Sequence, residues 1–207
     1  MNSLKPFFFA SLIALSSCAW AQTKISVCYN YSCAAETEIT FSKAQLQKFK
    51  RKLNAASSSV LERKILANVL AEMYRISGRQ SPIHVDKAGN ANDESLNGSM
   101  DCIDHSTTVT RFLQLLVEIK ALRYHQPLEP VMRSRFIFTH YSAAIEEKLP
   151  NWPKPRRSPL ENSTDLPDEA TPNRFAVDAW FVDHGEPPYI MPLEEWMNGG
   201  GPDLGPA

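Results

Sequence analysis

The chain predicts an α+β domain in which N-terminal helices and a Cys-bearing helix pack against an antiparallel β-sheet. Three observations carry that expectation. Leu61, Ile65, Leu66, Val69, Leu70 and Met73 recur at helical spacing, and so do Val109, Phe112, Leu113, Leu116 and Val117. Two strand-like runs follow, Phe136-Ile137-Phe138-Thr139-His140-Tyr141 and Phe175-Ala176-Val177-Asp178-Ala179-Trp180-Phe181. Between them, residues 150–172 are rich in proline and polar side chains and read as an exposed excursion from a hairpin.

Taken in order, residues 1–21 read as an export signal. Lys5 gives the positive start, residues 7–15 are almost wholly apolar, and Ala19-Trp20-Ala21 is a small-x-small cleavage site. Leu15-Ser16-Ser17-Cys18 also fits a lipoprotein box that would leave a lipid anchor on Cys18; cleavage after Ala21 is preferred. The apolar run is too short to span a bilayer, and no later run reaches the roughly 18 apolar residues a span needs. The expected location is the periplasm or beyond.

Residues 22–198 are expected to form a single domain, and residues 199–207 a flexible tail. Without residues 1–21 the chain keeps 21 basic and 23 acidic side chains, a net charge of −2. A balance so near zero argues against nucleic acid as a main partner and against a polybasic membrane surface. Of the 4 cysteines, Cys18 falls in the removed segment. Cys28 and Cys33 flank Tyr29-Asn30-Tyr31-Ser32, close enough to bridge in an oxidising compartment. Cys102 is left over, with either a reactive role or a buried apolar one.

Alternation over residues 24–28 and 38–41 suits an N-terminal strand or hairpin. Ser42 reads as the N-cap of a helix over residues 43–53. Ser59 with Glu62 reads as a capping box opening a second helix, which runs to about residue 76 and is ended by Gly78. Residues 77–101 form a long loop, placed before Cys102 to shape a cleft, in which His84 and Asp86 read as solvated side chains, with binding of substrate or metal as the alternative. The helix after Cys102 is expected to end near residue 122, where Arg123 and His125 suit its negative end. Residues 131–147 read as one strand and 173–183 as the next. Tyr189-Ile190-Met191 reads as a short edge strand, and residues 192–197 as a last helical turn with Trp196 packed inward.

A thiol attacks a carbonyl as thiolate, and a free pKa of about 8.5 leaves only a minority ionised at neutral pH. Cys102 lies in Ser99-Met100-Asp101-Cys102-Ile103-Asp104, near the first turn of its helix. Unpaired N–H groups and the dipole there favour negative charge, and the same groups would bind an oxyanion. Strand alternation places Phe136, Phe138, His140 and Ser142 on one face. It places Ala176, Asp178, Trp180 and Val182 on one face of the next strand. Antiparallel pairing makes His140 and Asp178 cross-strand neighbours, so that Asp178 orients one ring nitrogen and the other faces the thiol.

In this order of thiol, imidazole and carboxylate, and in Phe175-Ala176-Val177-Asp178-Ala179-Trp180, the chain resembles the transglutaminase-like branch of the papain-like cysteine enzymes. That branch includes bacterial transglutaminase-like cysteine proteinases. The resemblance spans residues 99–196 and rests on element order more than on a strict motif. It implies a papain/transglutaminase-like core and amide hydrolysis or acyl transfer on a peptide or protein through an acyl-thioester. Cys102 would be the nucleophile, His140 the general base and acid, and Asp178 the orienting group; no cofactor is implied. The chain departs from the family at Asp101, where many members have Gly or an aromatic residue, and at Tyr141-Ser142 after the histidine. Carboxylates at Asp101 and Asp104 would oppose a thiolate between them.

Two other readings compete. Cys102 and His105, spaced i, i+3, could hold zinc together with His84, although Asp101 and Asp104 are more simply helix caps. The same fold could also serve as a non-catalytic exported binding or assembly module, with Cys102 buried and His140 hydrogen-bonded in the core. Asp183 and His184 read as turn residues, and as a fallback pair should His140 point away.

Overall fold

The computed structural model of the chain describes residues 23–89, 96–135, 138–148 and 173–202. The expected export signal with its two cleavage sites, and the excursion over 150–172, lie outside the described residues. Strands β1 (Thr23–Tyr29) and β2 (Ala35–Phe41) form an antiparallel hairpin that buries Val27, Ile39 and Phe41. Ser42 caps α1 (Lys43–Asn54): its hydroxyl accepts from the Gln45 amide, while the Gln45 side chain accepts from the Ser42 amide. Leu46, Phe49 and Leu53 then turn one stripe of α1 inward.

Helix α2 (Ser59–Gly78) is capped by Ser58 rather than Ser59, through a hydroxyl that accepts from the Leu61 amide. Glu62 is not the partner in a capping box. It is fully buried, and its carboxylate accepts from the amides of Arg123 (2.6 Å) and Tyr124 (3.0 Å) and from Nδ1 of His125 (2.7 Å). That capture explains why α3 (Cys102–Glu118) stops earlier than its sequence suggests. Lys120 takes a left-handed φ of 55°, its amide bonds Val117 O, and the Ala121 amide bonds Leu116 O, which closes the helix. The chain turns onto Glu62, and His125 opens strand β3 (His125–Arg135) instead of decorating a helix end.

The single strand expected over 131–147 is two strands of a hairpin, β3 and β4 (Phe138–Glu147). Pro127 and Pro130 sit in β3, which is an edge strand, so their missing N–H groups cost no ladder bond. β5 (Arg174–Asp178) pairs antiparallel with β4, Ala143 opposite Val177 and Ile145 opposite Phe175, and β6 (Tyr189–Pro192) forms the other edge. β5 ends at Asp178, short of the expected residue 183, because residues 179–185 turn away to meet the loop before α3. α4 (Leu193–Met197) follows and buries Trp196 completely.

One core joins Leu66, Leu70 and Met73 of α2, Val109, Phe112 and Leu116 of α3, and the sheet residues Ala143, Ile145 and Val177. The opposite face of the sheet carries a smaller cluster of Ala176, Phe181 and Trp196. The α+β class, with the Cys-bearing helix against an antiparallel sheet, is the one the sequence predicts. The start of the expected flexible tail is instead fastened. Arg133 and Arg135 of β3 donate to the carbonyls of Trp196, Asn198 and Gly200, and a Cβ at Gly199 would overlap the Arg135 guanidinium.

Candidate active site

Cys102 is the first residue of α3 and a half-buried free thiol. The two aspartates around it are committed elsewhere. Asp101 Oδ1 accepts from the amides of Ile103 (3.0 Å) and Asp104 (2.9 Å), and Asp104 Oδ2 accepts from the Asp101 amide (3.1 Å). This reciprocal box is the cap the sequence suggests. The β1–β2 connection adds three donors from outside. Tyr31 N reaches Asp104 Oδ2 at 2.8 Å, Cys33 N reaches Asp104 Oδ1 at 2.7 Å, and Ser32 N reaches Asp101 Oδ2 at 2.9 Å. Burial pushes the Asp104 carboxyl up to about 6; the amides oppose that rise and the neighbouring Asp101 charge adds to it. Because the box occupies the Ile103 and Asp104 amides, the donor left open to a bound group in this turn is the amide of Cys102 itself. That is a narrower cradle than the open helix end expected from sequence.

The loop before α3 holds the Cys102 end of the helix in place. Asp86, expected to be solvated, is buried, and its Oδ1 accepts from the Met100 amide at 2.8 Å. Its other oxygen lies 3.1 Å from Nε2 of His105, a charge contact without the alignment of a hydrogen bond. His105 is buried one turn along α3, and its Nδ1 meets the Tyr74 hydroxyl at 3.1 Å. Burial pushes this ring down, but the charge and contact of Asp86 outweigh it, so the His105 pKa is raised and a cation is favoured. Both ring nitrogens therefore face inward partners, and the zinc arrangement with Cys102 and exposed His84 is not the one formed. The same loop ties to the turn after β5: Gly89 N bonds Trp180 O, Ala88 N bonds Asp183 Oδ1, and His184 N bonds Asp86 O. Exposed Asp183 is the turn residue expected. Burial pushes His184 down to about 4, which makes it a neutral ring, packed where Gly78 leaves no room for a Cβ.

His140 and Asp178 stand on adjacent strands as predicted. Asp178 is 1 % exposed. Its Oδ2 accepts from His140 Nε2 at 2.7 Å and from Trp196 Nε1 at 2.7 Å, and its Oδ1 accepts from the Trp180 amide at 3.2 Å. Alternation sets both side chains on the sheet face that α4 covers, with Ala144 and Ala176. The rings of Trp180, Phe181 and Trp196 lie 4.8, 5.4 and 5.6 Å from the imidazole and shield it from water. With Nε2 committed to Asp178, Nδ1 is the ring nitrogen left open, and Cys102 is near enough to add to the rise of the ring's pKa. Burial alone would lower the pKa of the ring. The hydrogen bonds to Asp178 and Cys102, and the charges of both, outweigh burial and raise it to about 9.

Of the three residues singled out in the sequence, His140 and Asp178 are joined by a hydrogen bond, and Cys102, at the start of α3, adds to the rise of the His140 pKa. Sequence reasoning missed Trp196 as a donor to Asp178, and it missed Asp86, Tyr74 and Glu62. One signal was present for the inner pair: His105 shares the stripe of Val109, Phe112 and Leu116, so its ring had to face the core. An open groove of about 700 Å³ lined by Arg174, Phe175, Leu193 and Met197 lies at the start of β5, away from Asp178 at its end. Comparison with protein-family models, with curated proteins and with solved structures finds no match to this chain.

Proposed function

We propose that the protein is an exported thiol-dependent amide hydrolase or acyl transferase of the transglutaminase-like kind, acting on a peptide or protein. The observation that carries this reading is the His140 imidazole hydrogen-bonded to the Asp178 carboxylate, its pKa raised to about 9 with Cys102 among the causes, and so protonated at neutral pH. The imidazolium and the N-terminus of α3 both place positive charge near the sulfur.

The chemistry follows from those positions. The Cys102 thiolate attacks the substrate carbonyl carbon, and the Cys102 amide donates to the oxygen that becomes an oxyanion. His140 passes its proton to the departing amine as the C–N bond breaks, which leaves an acyl-thioester and a neutral imidazole. That imidazole then takes a proton from water or from an acceptor amine as it attacks the thioester, and the thiolate–imidazolium pair returns. Asp178, fixed by Trp196 and Trp180, keeps the ring in one orientation through both proton transfers.

The test is alkylation of native protein with iodoacetamide across the range from about pH 5 to about pH 10. Cys102 should label rapidly below neutral pH, and His140→Ala should slow that labelling about tenfold or more. Turnover of any substrate found should fall on an alkaline limb near 9, where His140 loses its proton. Labelling that requires unfolding, and is unchanged in His140→Ala, would instead establish the non-catalytic binding or assembly module.

A further inference from the structure

We propose that the Cys28–Cys33 disulfide is a reducible switch that a dithiol reductant opens, and that its opening slows the Cys102 thiol. The coupling to Cys102 rests on the function proposed above; the disulfide chemistry does not.

The disulfide is built asymmetrically. Cys28 is fully buried, whereas Cys33 is half-buried. Arg111 of α3 brings Nη1 to 3.4 Å from Cys28 Sγ and Nη2 to 3.0 Å from Glu36 Oε1. An incoming thiolate therefore meets Cys33 Sγ first. A new S–S bond forms to Cys33 as the Cys28–Cys33 bond breaks, and Cys28 leaves as a thiolate beside a guanidinium, which makes it a good leaving group. The second thiol of the reductant, as thiolate, then attacks its own sulfur in the mixed disulfide and releases Cys33. Two electrons and two protons pass from the dithiol to the cysteines, and the reductant ends as a disulfide. Cys28, Cys33 and Glu36 also place ligand-type atoms within 4.8 Å of one another, but the two sulfurs are joined to each other and offer no metal site.

The segment that the disulfide closes is under conformational strain and is docked on the nucleophile. Asn30, Tyr31, Ser32 and Cys33 have φ values of 64°, 63°, 55° and 55°, a consecutive left-handed run without a glycine. Besides the disulfide, this run is held by the amides of Tyr31, Ser32 and Cys33 on Asp104 and Asp101, and by Asn30 N on Ser99 O at 2.8 Å. With the covalent closure gone the run relaxes, its amides leave the two carboxylates, and the freed negative charge stands beside Cys102 and disfavours its thiolate.

The experiment treats the full chain carrying Cys102→Ser with dithiothreitol, quenches with iodoacetamide, and reads Cys28 and Cys33 by mass alongside amide hydrogen exchange. Reduction should proceed in the folded state, with faster exchange at Tyr31, Ser32 and Cys33 and none of that change in the interior of α3. Arg111→Gln should slow reduction about tenfold, and Glu36→Gln, which frees the guanidinium for the sulfur, should speed it. Reduction only on global unfolding, at one rate in all three proteins, overturns the switch. With Cys102 present, its alkylation should slow about threefold once the disulfide is open; an unchanged rate overturns the coupling. A Cys102 inert in both states, in a protein whose disulfide still opens as described, overturns the proposed function and leaves the disulfide chemistry standing.

Discussion

Asp178→Ala is expected to cost about 3–5 kcal/mol of stability and to slow Cys102 alkylation near pH 6 by about tenfold or more. Both effects come from one carboxylate with three donors: His140 Nε2, Trp196 Nε1 and the Trp180 amide. Truncation leaves the buried Trp196 indole N–H without its acceptor, and it removes the charge that keeps His140 protonated. Against a total stability of about 5–15 kcal/mol, the structural loss alone approaches half. Urea denaturation reads the first effect and mass-resolved alkylation the second.

Asp178→Asn separates the two. An amide oxygen still accepts from Trp196, so most of the stability should return. The negative charge does not return, so the ring should titrate well below its present value of about 9. The sign is fixed by that shift. A His raised from 6.5 to about 9 adds stability that is complete below 6.5 and is lost as pH rises through about 9. In Asp178→Asn that loss should move to lower pH, together with the fall in thiol reactivity. A variant that regains stability but keeps rapid labelling at pH 6 would remove Asp178 from the chemistry.

Much of this site was legible because its residues sit on periodic elements. Cys102 precedes an apolar stripe, and His140 and Asp178 lie in alternating runs, so element order and strand parity were enough to bring them near one another. The partners that fix them were not legible, because each is a polar group recruited from far along the chain. Asp86 and His105 are separated by a loop with no periodic signal, and Glu62 carries the spacing of a capping box while doing something else. Local rules place Glu62 at a helix start, but a carboxylate there is also free to reach another segment, and burial decided the outcome. The hairpin of β3 and β4 was hidden by Pro127 and Pro130, which argue against a strand except at a sheet edge, and edge position is a tertiary fact. Beside Cys102, the carboxylates of Asp101 and Asp104 are taken up by a left-handed loop whose donors no sequence rule supplies.

The second large effect lies at the far end of the same helix. Glu62→Ala should cost about 3–5 kcal/mol, because it leaves the Arg123 and Tyr124 amides and the buried His125 ring without their acceptor. Glu62→Gln keeps one acceptor oxygen and should cost about 1–2 kcal/mol. Burial works to raise this carboxyl, but the His125 hydrogen bond and the two amides outweigh it, so its folded pKa lies below the ordinary 4.5. Stability from Glu62 is therefore fully present above that ordinary value and drains away as pH falls through the lower folded value. An acid-unfolding midpoint that is the same in wild type and Glu62→Gln would contradict this. Because Glu62 closes the C-terminal end of α3, whereas Cys102 opens its N-terminal end, the folded fraction of Glu62→Ala should alkylate Cys102 at the wild-type rate. A site slowed by loss of Glu62 would mean that the sulfur depends on where β3 enters the sheet, and not only on the cap, the loop and the imidazole that touch it.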